Sequence, residues 1–190
     1  TTMAPQSPFQ LLGCDFSSSP TRRKPIVLAL GQRQGARVVL ADGLMAQISS
    51  LESPAAMGFV HALPAATPLE PELPSVVLDR LQDPGNVGSI LRSAAAMGFK
   101  QVLALKGTAA LWSPKVLRAG MGAHFALQLR EGLSEADLEA LRVPLLATSP
   151  HRGEFLHRAE LPWPCAWLLG HEGQGVSDAL LARAAMTLRI

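Results

Sequence analysis

Within Leu78 to Phe99, LDRLQDPGNVGSILRSAAAMGF, an apolar run meets an Asp-Pro-Gly turn and then Asn86, Gly88 and Arg92 on a helical pattern. Asn86 and Arg92 are polar groups at the carboxyl end of a strand and the first turns of the next helix, where α/β proteins bind ligands. A guanidinium there offers a planar fork of donors to a phosphate, and the backbone N–H groups of the helix start add anion affinity.

A second cluster, GHEGQG from Gly170 to Gly175, lies between the apolar run CAWLLG and a helical pattern that Ser177 caps. Three glycines in six residues let the backbone turn sharply and approach a ligand, while Glu172 can accept hydrogen bonds from neighbouring loops. The spacing is not the GxGxxG of dinucleotide folds. His171-Glu172 begins like a zinc HExxH, but Gly175 stands where the second histidine is needed, so no metal site is expected. His61, His124, His151 and His157 show no ligand spacing either.

Both clusters need rigid elements to hold them. From Pro74 onward short apolar runs alternate with helical stretches: SVVLDRL, a helix from about Asn86 to Met97 ended by Gly98, QVLALK, and a helix from Ser113-Pro114 to Gly120 or Gly122. Then come FALQL, a helix from Ser134 to about Arg142, VPLLAT, CAWLLG, a helix from Ser177 through Ala185, and MTLRI. The alternation predicts an α/β fold with a mostly parallel sheet and helices on both faces. Ahead of it the reading is an irregular lead-in over 1–25, a small α/β module over 26–63 and a proline-rich linker over 64–74. The module holds IVLAL, RVVLA, a helix from Asp42 to Ser50 and MGFVHAL.

The 190 residues are 48% hydrophobic and 17% charged, which indicates a folded, core-rich chain. The low aromatic content, 5% with no tyrosine, weighs against a broad aromatic platform for stacking single-stranded bases. The absence of a long apolar run and of a basic-then-apolar leader predicts a cytoplasmic protein without a membrane span, and Cys14 and Cys165 suit a reducing compartment. The net charge is only +2. Yet Arg80, Arg92, Lys100, Lys106, Lys115 and Arg118 outnumber Asp79 and Asp83 around the first cluster, and such a basic zone suits a polyanion.

Taken in order on this pattern, the two clusters resemble the first two motifs of the SpoU (TrmH-like) RNA ribose 2′-O-methyltransferases of the SPOUT superfamily. The resemblance covers Ser75 to Ile190. Asn86, Gly88, Ile90 and Arg92 match the first motif; Leu168, Leu169, Gly170, Glu172, Gly173 and Gly175 match the second. It implies a SPOUT-type sheet with a carboxyl-terminal trefoil knot, S-adenosylmethionine as cofactor, an RNA substrate and a homodimer. By the same resemblance Thr148, Leu169, Gly170, Gly173, Gly175 and Ile190 would bind the cofactor, and Arg92, Asn86 and Glu172 would serve catalysis. Arg92 stays protonated, so its expected role is to clamp a phosphate or a developing alkoxide, not to act as a base. Asn86 would position Arg92 or the ribose, and Glu172 would brace the loops.

The family's third motif would come directly after Ile190, where the sequence stops, so the knot and the donor pocket are expected to be incomplete within these residues. Residues 26–63 more weakly resemble the end of an L30e-like RNA-binding module, which favours rRNA over tRNA as substrate. A tRNA methyltransferase and a non-catalytic RNA-binding protein that retains the fold stand as the alternatives.

Overall fold

The computed structural model describes residues 67–190 and, ahead of them, the backbone of four strands; the chain divides into two compact units, Thr1–Pro64 and Ala65–Ile190. In the first unit β1 (Gln10–Cys14), β2 (Leu28–Gln34), β3 (Arg37–Leu40) and β4 (Gly58–Phe59) form an antiparallel sheet in the order β1-β2-β3-β4. Three of these strands overlap apolar runs expected from the sequence. The fourth, β1, corrects the reading of 1–25 as irregular: its QLLGC segment pairs with β2 from Gln10 opposite Gly31. The helix expected from Asp42 to Ser50 lies outside the described residues.

The second unit is a seven-stranded sheet in the order β7-β6-β5-β10-β8-β11-β9, and every pairing in it is parallel. Its strands are β5 (Ser75–Asp79), β6 (Gln101–Leu105), β7 (Gln128–Leu133), β8 (Leu145–Ser149), β9 (Glu154–Phe155), β10 (Ala166–Gly170) and β11 (Met186–Arg189). All five residues of β5 and of β6 are buried, as expected for central strands covered on both faces. Side chains alternate along β5, so Val76 and Leu78 join one core and Val77 the other.

The first core is covered by α1 (Pro84–Ala96) and α2 (Pro114–Gly120). Asp83 caps α1 by accepting the Asn86 N–H at 2.8 Å, and Pro84 occupies a first-turn position whose N–H has no helical partner anyway. Gly88 is required where the two helices meet. A Cβ built there would stand 2.3 Å from Ala119 Cβ and 2.7 Å from the backbone of Gly120. The second core is covered by a 3₁₀ turn at Ala136–Ala140 and by α3 (Asp178–Arg183).

Three expectations shift. FALQL is strand only in its last two residues: Ala123–Ala126 wind into a 3₁₀ turn that buries His124 against the Leu111 carbonyl at 2.8 Å, so β7 starts at Gln128. The helix expected from Ser134 shrinks to the 3₁₀ turn, because the Asp137 carboxylate takes both the Ser134 N–H and its hydroxyl, leaving no hydroxyl acceptor turned to a helix N–H. The stretch 64–74 is not a free linker along its length. Leu69 packs on the second core, Gln101 bonds the Glu70 backbone on both its N–H and its carbonyl, and Pro74 accepts the Lys100 N–H.

Candidate functional site

The two sequence clusters meet at the carboxyl ends of β5 and β10, which are neighbouring parallel strands with Leu169 paired to Leu78 and Gly170 to Asp79. Each strand delivers its loop to the same edge, where ligands bind in sheets of this type. Glu172 joins them. Its carboxylate accepts the backbone N–H of Gln82 at 3.3 Å, that of Asp83 at 3.1 Å and the Asn86 side-chain amide at 3.3 Å. The Glu172 N–H itself, then that of Asp83, then Gln82 and Asn86, outweigh a small desolvation cost and draw the carboxyl from its ordinary 4.5 to about 2.

The glycine loop is closed by two backbone bonds, His171 N–H to the Gly175 carbonyl at 3.0 Å and Gly175 N–H to the His171 carbonyl at 2.8 Å. His171 Nδ1 accepts the N–H of Gly173 at 2.9 Å and of Gln174 at 3.3 Å, which leaves the ring proton on Nε2. A side chain at Gly170 would collide with the Gly175 backbone at 2.0 Å. That collision explains the residue without reference to any ligand.

A second tie was not read from the sequence. Asp79, with its side chain 3% exposed, accepts Arg80 Nε at 2.9 Å and the Ser177 N–H at 2.7 Å. Arg80 reaches on to Gln174 Oε1 at 3.1 Å, from a left-handed φ of 60°. Its hydrogen bond to Asp79, and then the charge of that carboxylate, push its pKa up from the ordinary guanidinium value. In the sequence Arg80 stands only as one more cation of the basic zone. The adjacent Asp79-Arg80 pair at a strand end was the available signal, and the left-handed backbone that lets Arg80 turn back onto its neighbour was not visible.

A cavity of about 760 Å³ opens between the end of β8, the glycine loop and the end of β11. Thr148, Gly170, Gly173, Gly175 and Ile190 line it, with Glu172 on its wall. Ser149, His151, Arg152 and Asp178 add polar groups, and Val176 and Leu181 add apolar ones. Leu169 is the exception among the expected cofactor residues. Strand alternation turns its side chain to the first core, into an apolar groove of about 470 Å³ beside Val76, Ile90 and Trp167.

Arg92 is exposed on α1, outside the lining of that cavity and without a partner among the described residues. Asn86, expected to position Arg92 or the ribose, spends its amide on Glu172 instead. The two residues are six apart on the helix, about 9 Å along its axis and roughly a third of a turn apart in direction. No helix among the described residues is long and apolar enough to cross a membrane.

A sequence profile of the SpoU rRNA Methylase family matches residues 74–190. The chain is 58% identical over 64 residues to rRNA methyltransferase 3, mitochondrial, of Mus musculus, a match over 33% of this chain and 15% of that protein. It is 28% identical over 155 residues to the 23S rRNA (guanosine(2553)-2′-O)-methyltransferase RlmP of Bacillus subtilis, over 80% of this chain and 62% of that one. The SpoU methyltransferase AviRb of Streptomyces viridochromogenes, solved in complex with AdoMet, superposes with a TM-score of 0.60 at 29% identity, over 67% of this chain and 55% of its own. The chain thus spans less than two thirds of these relatives. With the family profile running from the start of β5 through both clusters, the chain belongs to the SpoU rRNA methylase family.

Proposed function

We propose that this chain is the methyl-transferring part of an S-adenosylmethionine-dependent RNA methyltransferase that modifies a ribose 2′-hydroxyl in rRNA. The observation that carries the reading is the cavity walled by the glycine loop. Five of the six residues expected to hold the cofactor line it, and Glu172 ties that loop to the start of α1. The cavity suits the cofactor's chemistry. About 760 Å³ lies within the range of small-molecule sites, apolar Val176 and Leu181 suit a purine, and Arg152 and Asp178 offer opposite charges to an amino acid's carboxylate and ammonium. The relatives named as rRNA methyltransferases favour rRNA.

When bound, the cofactor supplies an electrophilic methyl on a sulfonium. The chain's own work is positioning. The glycine loop, locked by its His171–Gly175 bonds, forms a rigid wall and Thr148 anchors the opposite side through its bond to the Leu168 carbonyl at 3.2 Å. Arg92 grips the RNA phosphate or stabilises the developing alkoxide, and a phosphate oxygen or water takes the 2′-hydroxyl proton. Asn86 and Glu172 hold the loop that precedes Arg92 in register with the donor wall. In this reading 75–190 belongs to the catalytic region and carries the first part of its trefoil knot, 26–63 is an L30e-like RNA-binding module, and the protein is a cytoplasmic homodimer. Because Arg92 lies outside the cavity lining, a site at the subunit interface is the arrangement that brings it to the donor.

Calorimetry of the full-length protein with S-adenosylmethionine tests the donor half, and mapping of 2′-O-methyl positions in RNA from cells with and without the gene tests the product. Micromolar binding and a lost rRNA 2′-O-methyl group are expected. Absence of donor binding would replace the enzyme by a non-catalytic RNA-binding protein of the same fold.

A further inference from the structure

The sheet edge next to the donor cavity carries a feature that this reading does not use. β9 is an edge strand of two residues, paired in parallel with β11 so that Phe155 lies beside Arg189. Arg189 stands over the Phe155 ring at 5.0 Å from its centroid and Arg158 at 5.7 Å, with the His157 ring 5.5 Å away at a 41° tilt. Phe155 is 41% exposed, so the ring is no part of either core. Neither guanidinium has a carboxylate within ion-pairing distance among the described residues.

The backbone is shaped to present this group. Gly153 takes a left-handed φ of 97°, and a side chain there would meet the Thr187 carbonyl oxygen at 2.0 Å, so only glycine lets the chain press β9 against β11. The Phe155 carbonyl accepts the N–H groups of Arg158 and Ala159, at 2.9 and 3.2 Å, in a turn that carries Arg158 back over the ring. Glu154 precedes Phe155 on the strand, and alternation sends it to the other face. Glu160 is exposed and makes no ion pair with these arginines.

We propose that this edge is a docking surface for an unpaired stretch of RNA next to the modified nucleotide. A guanidinium laid against an aromatic ring is pre-organised. Its free face can stack on a base while its N–H edge donates to a phosphate, and single-stranded RNA exposes both. Two such groups on one ring offer two contacts without the broad aromatic platform that the composition weighs against. The surface is continuous with the donor cavity, since Arg152 and Ile190, which line it, flank β9 and the Arg189 end of β11.

The inference rests on the methyltransferase reading for its ligand, and its test keeps the two apart. The full-length protein is titrated by fluorescence anisotropy against a labelled single-stranded oligoribonucleotide and against a blunt duplex of the same length, with donor binding followed in parallel by calorimetry. The double variant Arg158→Gln/Arg189→Gln is expected to weaken single-strand binding about tenfold with little effect on the duplex or on the donor. Phe155→Leu keeps apolar bulk but loses the ring, and is expected to fall between that variant and wild type. Arg130→Gln, on β7 at the opposite edge of the sheet, removes a charge without touching the surface and is expected to bind like wild type. Equal single-strand affinity for the double variant and wild type, or an equal loss in Arg130→Gln, overturns the surface alone if wild type still binds donor and transfers methyl. A wild-type protein that binds neither RNA nor donor overturns both the surface and the methyltransferase reading.

Discussion

Glu172 accepts the backbone N–H of Asp83 at 3.1 Å across 89 positions of sequence, and through that bond the loop of the donor wall is fixed to the cap of the helix that carries Arg92. The same carboxylate holds Gln82 and Asn86. Replacing Glu172 with Ala leaves two backbone donors and an amide to water. Because the group is exposed, the expected cost in stability is only about 1 kcal/mol. The larger consequence is geometric: donor affinity should fall about tenfold, the equivalent of ~1.4 kcal/mol. Thermal unfolding alongside calorimetry checks both.

The low pKa of Glu172 fixes the sign of a pH effect. Its folded value, about 2, lies below the ordinary 4.5, so the ionised form is favoured by folding. The stability it adds is fully present above pH 4.5 and is lost as pH falls from there through about 2. Glu172→Gln cannot titrate and should show a shallower loss over that window than wild type. Parallel pH–denaturation curves would contradict the assignment. Asp137 is also held below the ordinary carboxylate range by its bonds to Ser134, so the comparison is read as a difference between the two proteins.

Gly88 illustrates a motif position that packing explains. With a Cβ meeting Ala119 Cβ at 2.3 Å, Gly88→Ala must push α1 and α2 apart, an overpacking cost of about 1–3 kcal/mol that the melting temperature would register. Unchanged stability would mean that the two helices are not held this closely.

Arg80→Ala leaves Asp79, 3% exposed, without its cation while the Ser177 N–H still points at it. With Arg80 itself partly exposed, a loss of about 2 kcal/mol is expected, below the full cost of breaking a buried pair. Arg80→Lys, which cannot span Asp79 and Gln174 with one planar fork, should recover only part of it.

Much of this site was legible because it is built from local signals. The Asp-Pro-Gly turn and Gly98 mark the two ends of α1 to within two residues, and GHEGQG sits at a strand end where only a tight turn fits. What escaped depends on distant partners. No local pattern tells that Asn86 spends its amide on Glu172, that Arg80 folds back onto Asp79, or that strand alternation turns Leu169 away from the cavity. Likewise β7 starts three residues late because a histidine buries itself against a carbonyl thirteen positions earlier. Proline content, read as a linker over 64–74, said nothing of the carbonyls that Lys100, Gln101 and Arg142 find there.

Arg92 is the residue on which the account turns: it is free of any partner among the described residues, exposed on α1 and assigned to the RNA, not to the donor. The direct measurement pairs calorimetry of S-adenosylmethionine with transfer of labelled methyl to RNA, read as 2′-O-methyl by its resistance to alkaline hydrolysis, for wild type and Arg92→Ala. The account predicts donor affinity within error of wild type and a fall in methyl transfer of about a hundredfold or more. Unchanged transfer by Arg92→Ala, or label found on a base and not on the ribose, would contradict it.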